Sequence, residues 1–463
     1  MLGLDGWRPP GTKPGRPDGA AVQTLYLAPL RVRVKVSLSN RYIPSASQVA
    51  NPPVTSGGLA GGFRSTFSAL RHRNFRLFYV GHLLSLGGTW LQITALGWLV
   101  LELTDSTFWL GVVNAGTSLP ILLFSLYAGT IADRLDKRTI LIVAQSVAFL
   151  QALGLAVLTH LDVIGIGWII VLVLTLGTAN AFEIPTRQSF FIELVGERDL
   201  TSAIALNSSA FNGTRMIGPA IAGALIAAVG VAACFYGNAI SYLAVLGGLL
   251  AIRRPRPERI PQTVSTWANI REGFSWIWHH RVARSIVLFV AAASVLVFPY
   301  TMLLPVFARD ILVVGPEGMG WLYSATGAGA LLGGLTLASI TERVPRGRLL
   351  VLSATAFTTL VTGFALSLSF PVSLALLAAA GFAMILSTAT ANSLLQTLVP
   401  NGLRGRVMAV YVVMFLGMTP VGYLQAGAIA RLFGARAALA AGSSLLLLLL
   451  LGTNWKAAFR EVS

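Results

Sequence analysis

Long apolar runs, each about 20 residues, recur along most of the chain and are separated by short polar connections. A helix of that length crosses the ~30 Å hydrocarbon layer of a bilayer and pairs its backbone polar groups internally. The pattern therefore predicts an all-α integral membrane protein with twelve transmembrane helices. The predicted spans are 76–102, 107–131, 138–160, 163–184, 201–229, 231–252, 285–309, 316–340, 348–369, 371–395, 404–431 and 434–454.

Two segments depart from this pattern. Residues 1–64 are rich in proline and basic residues and have no helical apolar period, which predicts a disordered basic tail. Residues 267–281 have the alternation of an amphipathic helix lying on the membrane surface. The predicted domains are therefore the tail 1–64, a six-helix bundle 65–252, a cytoplasmic linker 253–284 and a second six-helix bundle 285–456.

Composition and charge agree with a membrane protein. Hydrophobic residues make up 55% of the chain and charged residues 11%, whereas soluble domains are roughly 25% charged. The net charge of +17 raises the question of nucleic acid, but the basic residues lie mostly in short loops. With a cytoplasmic N-terminus, 23 of the 34 Lys and Arg residues fall on the cytoplasmic side and 3 outside. This bias predicts a cell (inner) membrane location with both termini in the cytoplasm and no nucleic-acid partner.

Features of the first six spans recur in the second six. The loop 133–138 follows span 2, and the loop 342–348 follows span 8 at an offset of 209 residues. In spans 5 and 11 the offset is 204, and it relates Gly218, Gly223 and Gly230 to Gly422, Gly427 and Gly434. Gene duplication accounts for both offsets, and chance matching of glycines in apolar sequence is the alternative. Parallel repeats predict two pseudo-symmetric bundles that face each other across a central cavity.

These residues resemble a known family. The stretch 129–138 is similar to the loop 2-3 signature of the major facilitator superfamily. The stretches 85–92, 95–98, 185–188, 205–208 and 403–408 resemble its bacterial branch of enterobactin-type siderophore exporters and drug-efflux proteins. The resemblance covers residues 65–455 and implies the major facilitator fold and secondary transport by alternating access.

The loop after span 2 is predicted to be a gate. At the membrane edge, Asp133 can accept hydrogen bonds from the positive N-terminus of a facing helix, which the resemblance identifies as span 11. A cluster of charges that only anchors the loop is the alternative. The predicted gate consists of Gly129, Asp133, Arg134, Lys137 and Arg138.

A wider charge network is predicted around the gate. Glu183 and Arg187 near the end of span 4 form either a local helix-end pair or a moving latch. Arg215 falls near mid-membrane, where a cation costs roughly 2.5–3.5 kcal/mol on insertion scales, so it should face a polar interior. We expect it to bind an anionic substrate or to be released when a carboxylate partner is protonated, and an internal strut is the alternative. The predicted network comprises Glu183, Arg187, Arg215, Glu342 and Arg343.

Small residues in span 5 resemble the superfamily's antiporter signature. Gly218, Pro219 and Gly223 match it, with Ala222 where the family usually has glycine. We expect close packing against span 8, through its glycines Gly327, Gly329, Gly333 and Gly334. Antiport itself is implied by the resemblance alone.

Candidate substrate contacts come from the helices that line the cavity in this superfamily and from span 5. They are Trp90, Gln92, Thr178, Asn212, Tyr300 and Asn392, and interhelical packing is the alternative for each. His82 lies near the cytoplasmic end of span 1, which favours a solvated or capping histidine over a proton carrier.

The sequence lacks the residues that other classes of function require. None of the four lysines follows a glycine as a nucleotide-binding loop requires, no catalytic cluster is evident, and the single Cys234 allows no thiolate metal site. The prediction is a monomeric secondary transporter that is not an enzyme, uses a proton gradient without a bound cofactor or metal, and exports amphipathic siderophore-like or drug-like molecules. An importer or uniporter of a small polar solute, or a non-transporting sensor or scaffold, is the alternative.

Overall fold

The computed structural model describes residues 67–252, 266–340 and 344–452, except for the side chains of 125, 126, 129, 130, 132–134, 266–269 and 338–340. Within these residues the chain forms helices and short connections without a strand. The predicted tail 1–64 lies outside the described residues.

The first half contains six long helices and is followed by a linker helix. They are α1 (Arg73–Thr104), α2 (Thr107–Arg134), α3 (Lys137–His160), α4 (166–195), α5 (197–229), α6 (Val231–Ala251) and the linker helix α7 (Thr266–His279). A continuous 64-residue helical segment, Ile166–Val229, contains both α4 and α5. Gly196 divides it, because its φ of 72° is a left-handed conformation that glycine adopts without steric cost.

The second half repeats the arrangement with two broken spans. Its helices are α8 (Arg281–Leu296), α9 (Tyr300–Val306) with a π-helical turn (Phe307–Ile311), α10 (Gly315–Ile340), α11 (Arg346–Leu366), α12 (Phe370–Leu398), α13 (Arg404–Leu416), α14 (Thr419–Phe433) and α15 (Ala435–Gly452). The break between α8 and α9 falls beside Pro299, and the break before α14 falls beside Pro420. Proline lacks a backbone N–H, so each break lies where a helix cannot continue unstrained.

The described helices are compatible with twelve spans. Ten described helical segments are long and apolar enough to cross a bilayer, and one of them is the 64-residue segment that supplies two spans. Helix α10, with 26 residues, packs between α5 and α12 and accounts for the remaining predicted span. The all-α fold in long apolar helices is therefore confirmed.

Two glycine contacts join the halves, and the internal repeat relates them. A Cβ on Gly223 of α5 would lie 2.5 Å from the carbonyl oxygen of Pro316 at the start of α10. A Cβ on Gly427 of α14 would lie 2.8 Å from the carbonyl oxygen of Thr107 at the start of α2. These pairs correspond at the offsets of 204 and 209, so the same contact is built twice with the halves exchanged. We call these two contacts the glycine seams.

The same repeat is visible in the helix ends beside the seams. Gly230 ends α5 with a φ of 87°, and Gly434 ends α14 with a φ of 85°. Both positions use the left-handed conformation that glycine allows. The sequence offset of 204 thus corresponds to matching backbone geometry.

The predicted packing of span 5 against span 8 is only partly correct. Gly327 lies against α5, where a Cβ would approach the carbonyl oxygen of Arg215 at 2.7 Å. Gly329 and Gly333 instead face Ala378 and Phe382 of α12. Residues two apart on a helix point roughly 200° away from each other, so Gly327 and Gly329 cannot share one face.

Gly218 was also predicted to pack against span 8, and this prediction is wrong. It faces α1, where a Cβ would lie 2.6 Å from the Cβ of Trp90. Pro219 contacts α10 through its carbonyl oxygen, which lies against Gly320. Gly223 forms the seam, so of the three signature residues two contact α10.

Two alanine substitutions in α5 test the seam. Gly223→Ala is expected to lower stability by ~1–3 kcal/mol, because its methyl group overlaps the Pro316 carbonyl. Gly213→Ala is the control, because its Cβ has open space, and higher helix propensity should stabilise it by up to ~1 kcal/mol. Thermal unfolding of the purified protein measures both, and equal shifts for the two variants would contradict the seam.

Candidate functional site

A central cavity of about 980 Å³ lies between the two halves. It is lined by α1, α2, α4 and α5 from the first half and, from the second, by α9, α10, α12, α13, α14 and Phe298 in the break before α9. At one end the cavity reaches Gln396 and Arg404, which are exposed. We call this the basic end, since Arg73, Lys137 and Arg281 begin their helices there. The glycine seams lie at the opposite, closed end.

The charged residues that line the cavity are arginines. Arg215 on α5 and Arg404 on α13 contribute guanidinium groups, and no carboxylate is among the described lining residues. Arg215 lies over the Trp90 ring, with 6.0 Å from the guanidinium carbon to the ring centroid. No described residue forms an ion pair with Arg215, and the neighbour that interacts with it is the neutral Tyr300 phenol, so its positive charge is not neutralised by a described acid. Trp90 also contacts Phe211 at 5.9 Å between ring centroids, which places an aromatic surface beside the cation.

Three of the six predicted substrate contacts line this cavity. They are Trp90, Gln92 and Asn392. The Gln92 amide is already occupied, because it donates to Gln151 Oε1 at 3.2 Å and accepts from Asn238 Nδ2 at 2.8 Å. Gln92 therefore belongs to a buried amide network that ties α1, α3 and α6 together.

The other three predicted contacts lie outside the cavity lining. Tyr300 is fully buried, and its hydroxyl faces Met384 Sδ at 3.9 Å. Thr178 donates to the Leu174 carbonyl at 2.8 Å, and Asn212 donates to the Ser208 carbonyl at 2.8 Å. The Thr178 hydroxyl and the Asn212 amide thus each bond to their own helix. Knowing which span a residue belongs to does not predict such a local hydrogen bond.

Several lining residues were not predicted from the sequence. Polar ones include Asn114, Ser118, Thr301, Thr326, Thr388 and Tyr423. Asn114 and Ser118 are four residues apart on α2 and share a face, which is the one sequence signal that would have indicated them. Thr419, the repeat equivalent of Arg215, also lines the cavity, so the two halves place equivalent positions on it.

Arg309 forms a contact between the halves at the closed end. It donates to the Leu101 carbonyl at 3.0 Å and pairs with Asp105 across the halves and with the adjacent Asp310. Arg309 is one of the three basic residues that the charge bias predicts to lie outside, and the sequence predicted no contact for it. The adjacent Asp310 was the one local signal in the sequence.

The basic residues of the loop after α2 are anchored in the first half. Lys137 pairs with Glu193 at 2.5 Å, and Arg138 donates to the carbonyls of Leu249 and Leu250 at 2.7 and 3.0 Å. The backbone of α2 passes through the other predicted gate residues Gly129, Asp133 and Arg134, whose side chains are outside the description, as are Glu342 and Arg343 entirely. The gate therefore stays a prediction.

Glu183 and Arg187 form a local pair on α4. Arg187 Nε lies 2.7 Å from Glu183 Oε1, one helical turn away. His82 joins them and is only 4% exposed, so the prediction of a solvated or capping histidine is wrong. Packing of α1 against α4 and α5 buries it beside Asn207, a contact between distant segments.

One family model matches most of the chain. The model of the family described as transmembrane secretion effector matches residues 64–461. The chain belongs to this family of major facilitator transporters. The predicted superfamily and its efflux branch are thereby confirmed.

Similar proteins cover most of the length of the chain. It is 28% identical over 361 residues to the staphyloferrin A transporter of Staphylococcus aureus, covering 78% of this chain and 90% of that one. It is 26% identical over 371 residues to the multidrug efflux pump Tap of Mycolicibacterium fortuitum, with the same two coverages. The crystal structure of the nucleoside transporter NupG matches 84% of this chain and 99% of its own with a TM-score of 0.68 and 13% identity, which shows a shared fold.

An arginine substitution tests whether the contacts of Arg309 hold the closed end of the cavity shut. Arg309→Ala should raise the rate at which a membrane-impermeant maleimide reaches Ser118→Cys, placed in a Cys234→Ala background, from the side that the closed end faces. Ion pairs between exposed groups contribute only ~0.2–1 kcal/mol, so a two- to five-fold increase is expected.

Arg436→Ala is the matched control for that experiment. Arg436 donates to the carbonyls of Ala365 and Leu366, so its contacts stay within the second half. Its removal should leave the labelling rate unchanged. An unchanged rate in Arg309→Ala would show that Arg309 does not hold the closed end shut.

Proposed function

We propose that this protein exports amphipathic small molecules carrying a negative charge, by alternating access and in exchange for protons. The observation that carries the proposal is Arg215, which pairs with no acid among the described residues and lies beside Trp90 in a large, mostly apolar cavity. A cation that no neighbouring acid neutralises attracts an anionic ligand, and the ring and apolar walls favour a ligand with a hydrophobic body.

Charge selection follows from the lining. Acidic groups favour the binding of organic cations, and the charged groups of the described lining are arginines instead. A cationic ligand would have to approach Arg215 without a counter-charge, which is unfavourable in a site partly removed from water. The relatives named as a staphyloferrin A transporter and a multidrug efflux pump support small-molecule cargo.

The distribution of basic residues indicates the direction of transport. The Lys and Arg bias assigns the basic end, and with it both termini, to the cytoplasm. The cavity would then be open to the cytoplasm, the side on which an exporter binds its substrate. Transport out would follow when the glycine seams part and the basic end closes.

The proposal includes the energy source, the cellular location and the oligomeric state. A proton gradient would drive export without a bound cofactor, and the location would be the bacterial inner membrane. One chain supplies both walls of the cavity, so the proposed functional unit is a monomer.

A pair of matched dyes tests substrate charge and direction together. Fluorescein is an amphipathic anion, and its cationic rhodamine analogue has the same ring system. Inside-out proteoliposomes with an acidic lumen should accumulate fluorescein and release protons, but not accumulate rhodamine. Arg215→Gln should raise the KM for fluorescein at least ~10-fold, because a hydrogen bond to a charged group contributes roughly 1.5–3 kcal/mol.

Arg436→Gln, at the closed end and outside the cavity lining, is the control and should behave like the wild type. Accumulation of rhodamine in place of fluorescein would overturn the anion assignment. Fluorescein movement only in the opposite orientation would indicate an importer, and accumulation without proton movement would exclude proton exchange.

A further inference from the structure

A buried acid lies outside the cavity lining, near the basic end of the first half. Glu183 on α4 is 8% exposed and is the only buried carboxylate among the described residues. It does not line the cavity, and the proposed export mechanism has so far given it no role. An acid buried in a membrane protein is costly unless it is paired, and such acids commonly mark proton paths.

The surroundings of Glu183 form one hydrogen-bonded cluster from three helices. Arg187 donates through Nε to Glu183 at 2.7 Å and through Nη1 to Asn207 Oδ1 at 3.3 Å. His82 Nε2 lies 3.1 Å from the same Asn207 oxygen. An amide oxygen only accepts, so His82 Nε2 is the donor to Asn207, and Arg187 Nη1 lies 3.4 Å from the same ring nitrogen. We call Glu183, Arg187, His82 and Asn207 the α4 cluster.

A proton on Glu183 would change the charge of this cluster. With Glu183 ionised, the pair with Arg187 is neutral overall. When Glu183 is protonated, Arg187 keeps its charge without a counter-ion in a buried place, which is strongly unfavourable. The guanidinium must then find another acceptor, and its other contacts are Asn207 on α5 and His82 on α1, at 3.3 and 3.4 Å from Nη1. Protonation of Glu183 would thereby change the interaction of α4 with both α5 and α1.

The other described charged groups near the α4 cluster have partners elsewhere or lie at helix ends. Tyr242 on α6 is near enough to interact with Glu183, and the titratable residues of α3 lie at its ends. Of these, Lys137 is paired with Glu193, and Arg138 is bound to the end of α6. On α2 the acidic and basic pair 133–134 has side chains outside the description.

Two helices connect the α4 cluster to the cavity with the same spacing. On α1, Trp90 follows His82 by eight residues, and on α5, Arg215 follows Asn207 by eight residues. Both helices run from the basic end toward the closed end, and eight residues of helix rise about 12 Å. A shift of α1 against α5 at the cluster is therefore transmitted to the Trp90–Arg215 pair in the cavity.

We propose that Glu183 is the proton-binding residue of the transport cycle, with Arg187, His82 and Asn207 coupling its protonation to the substrate site. This inference rests on the proton exchange proposed above. It separates the proton site from the substrate site by two helical turns, so the two ligands would not compete for one group.

Infrared difference spectroscopy of the purified protein tests proton binding without a substrate. Between acidic and neutral pH, a C=O stretching band of a protonated carboxylic acid should appear and should be absent in Glu183→Gln. Glu193→Gln is the matched control, because Glu193 is a paired carboxylate on the same helix. A band that survives in Glu183→Gln would overturn the inference.

Fluorescein flux in proteoliposomes tests the coupling. Glu183→Gln should lose at least tenfold of the accumulation driven by a pH gradient while its downhill flux stays within twofold of the wild type. Glu193→Gln should retain both, and Glu183→Asp should recover part of the accumulation.

The outcomes separate this inference from the proposed function. If wild-type fluorescein accumulation depends on protons and Glu183→Gln retains it, the inference is wrong and proton exchange stands. If the infrared band depends on Glu183 but the wild type accumulates fluorescein without proton movement, proton exchange is wrong and Glu183 has no coupling role. If fluorescein does not move at all, the infrared band alone decides whether Glu183 binds a proton.

Discussion

The structure depends on the close approach of helix backbones at the two glycine seams. At Gly223 and Gly427 a single added carbon would overlap a carbonyl oxygen of the other half. Contact at this distance joins the halves at the closed end and leaves them apart at the basic end. The cavity, its opening and the position of Arg215 within it all follow from where the halves touch.

Interactions within a half differ in kind from interactions between halves. Inside the first half, buried amides of Gln92, Gln151 and Asn238 bond to one another, and breaking them would leave polar groups unpaired. Between the halves, the closed end has van der Waals contact at glycines and the partly exposed ion pairs of Arg309. Such contacts are weaker and screened by water, so the halves can separate while each keeps its internal structure.

The internal repeat explains both the symmetry and its useful exceptions. Equivalent positions 215 and 419 both line the cavity, but one is arginine and the other threonine. The α4 cluster likewise belongs to one half. A duplicated scaffold therefore supplies a symmetric cavity, and single substitutions on it supply the charge that a substrate and a proton would recognise.

The sequence by itself determined the all-α membrane fold, the approximate positions of the spans, the duplication and the family, because these depend on hydrophobic length and on local motifs. It also indicated Arg215, since a cation in an apolar run has few tolerable surroundings. Only the tertiary structure decided which side chains face the cavity. Thr178 and Asn212 bond to their own helices. Tyr300 is buried outside the cavity lining, and His82 is buried by helices that are distant in sequence. Those outcomes depend on helix rotation and on long-range packing, which the period of a single helix does not encode.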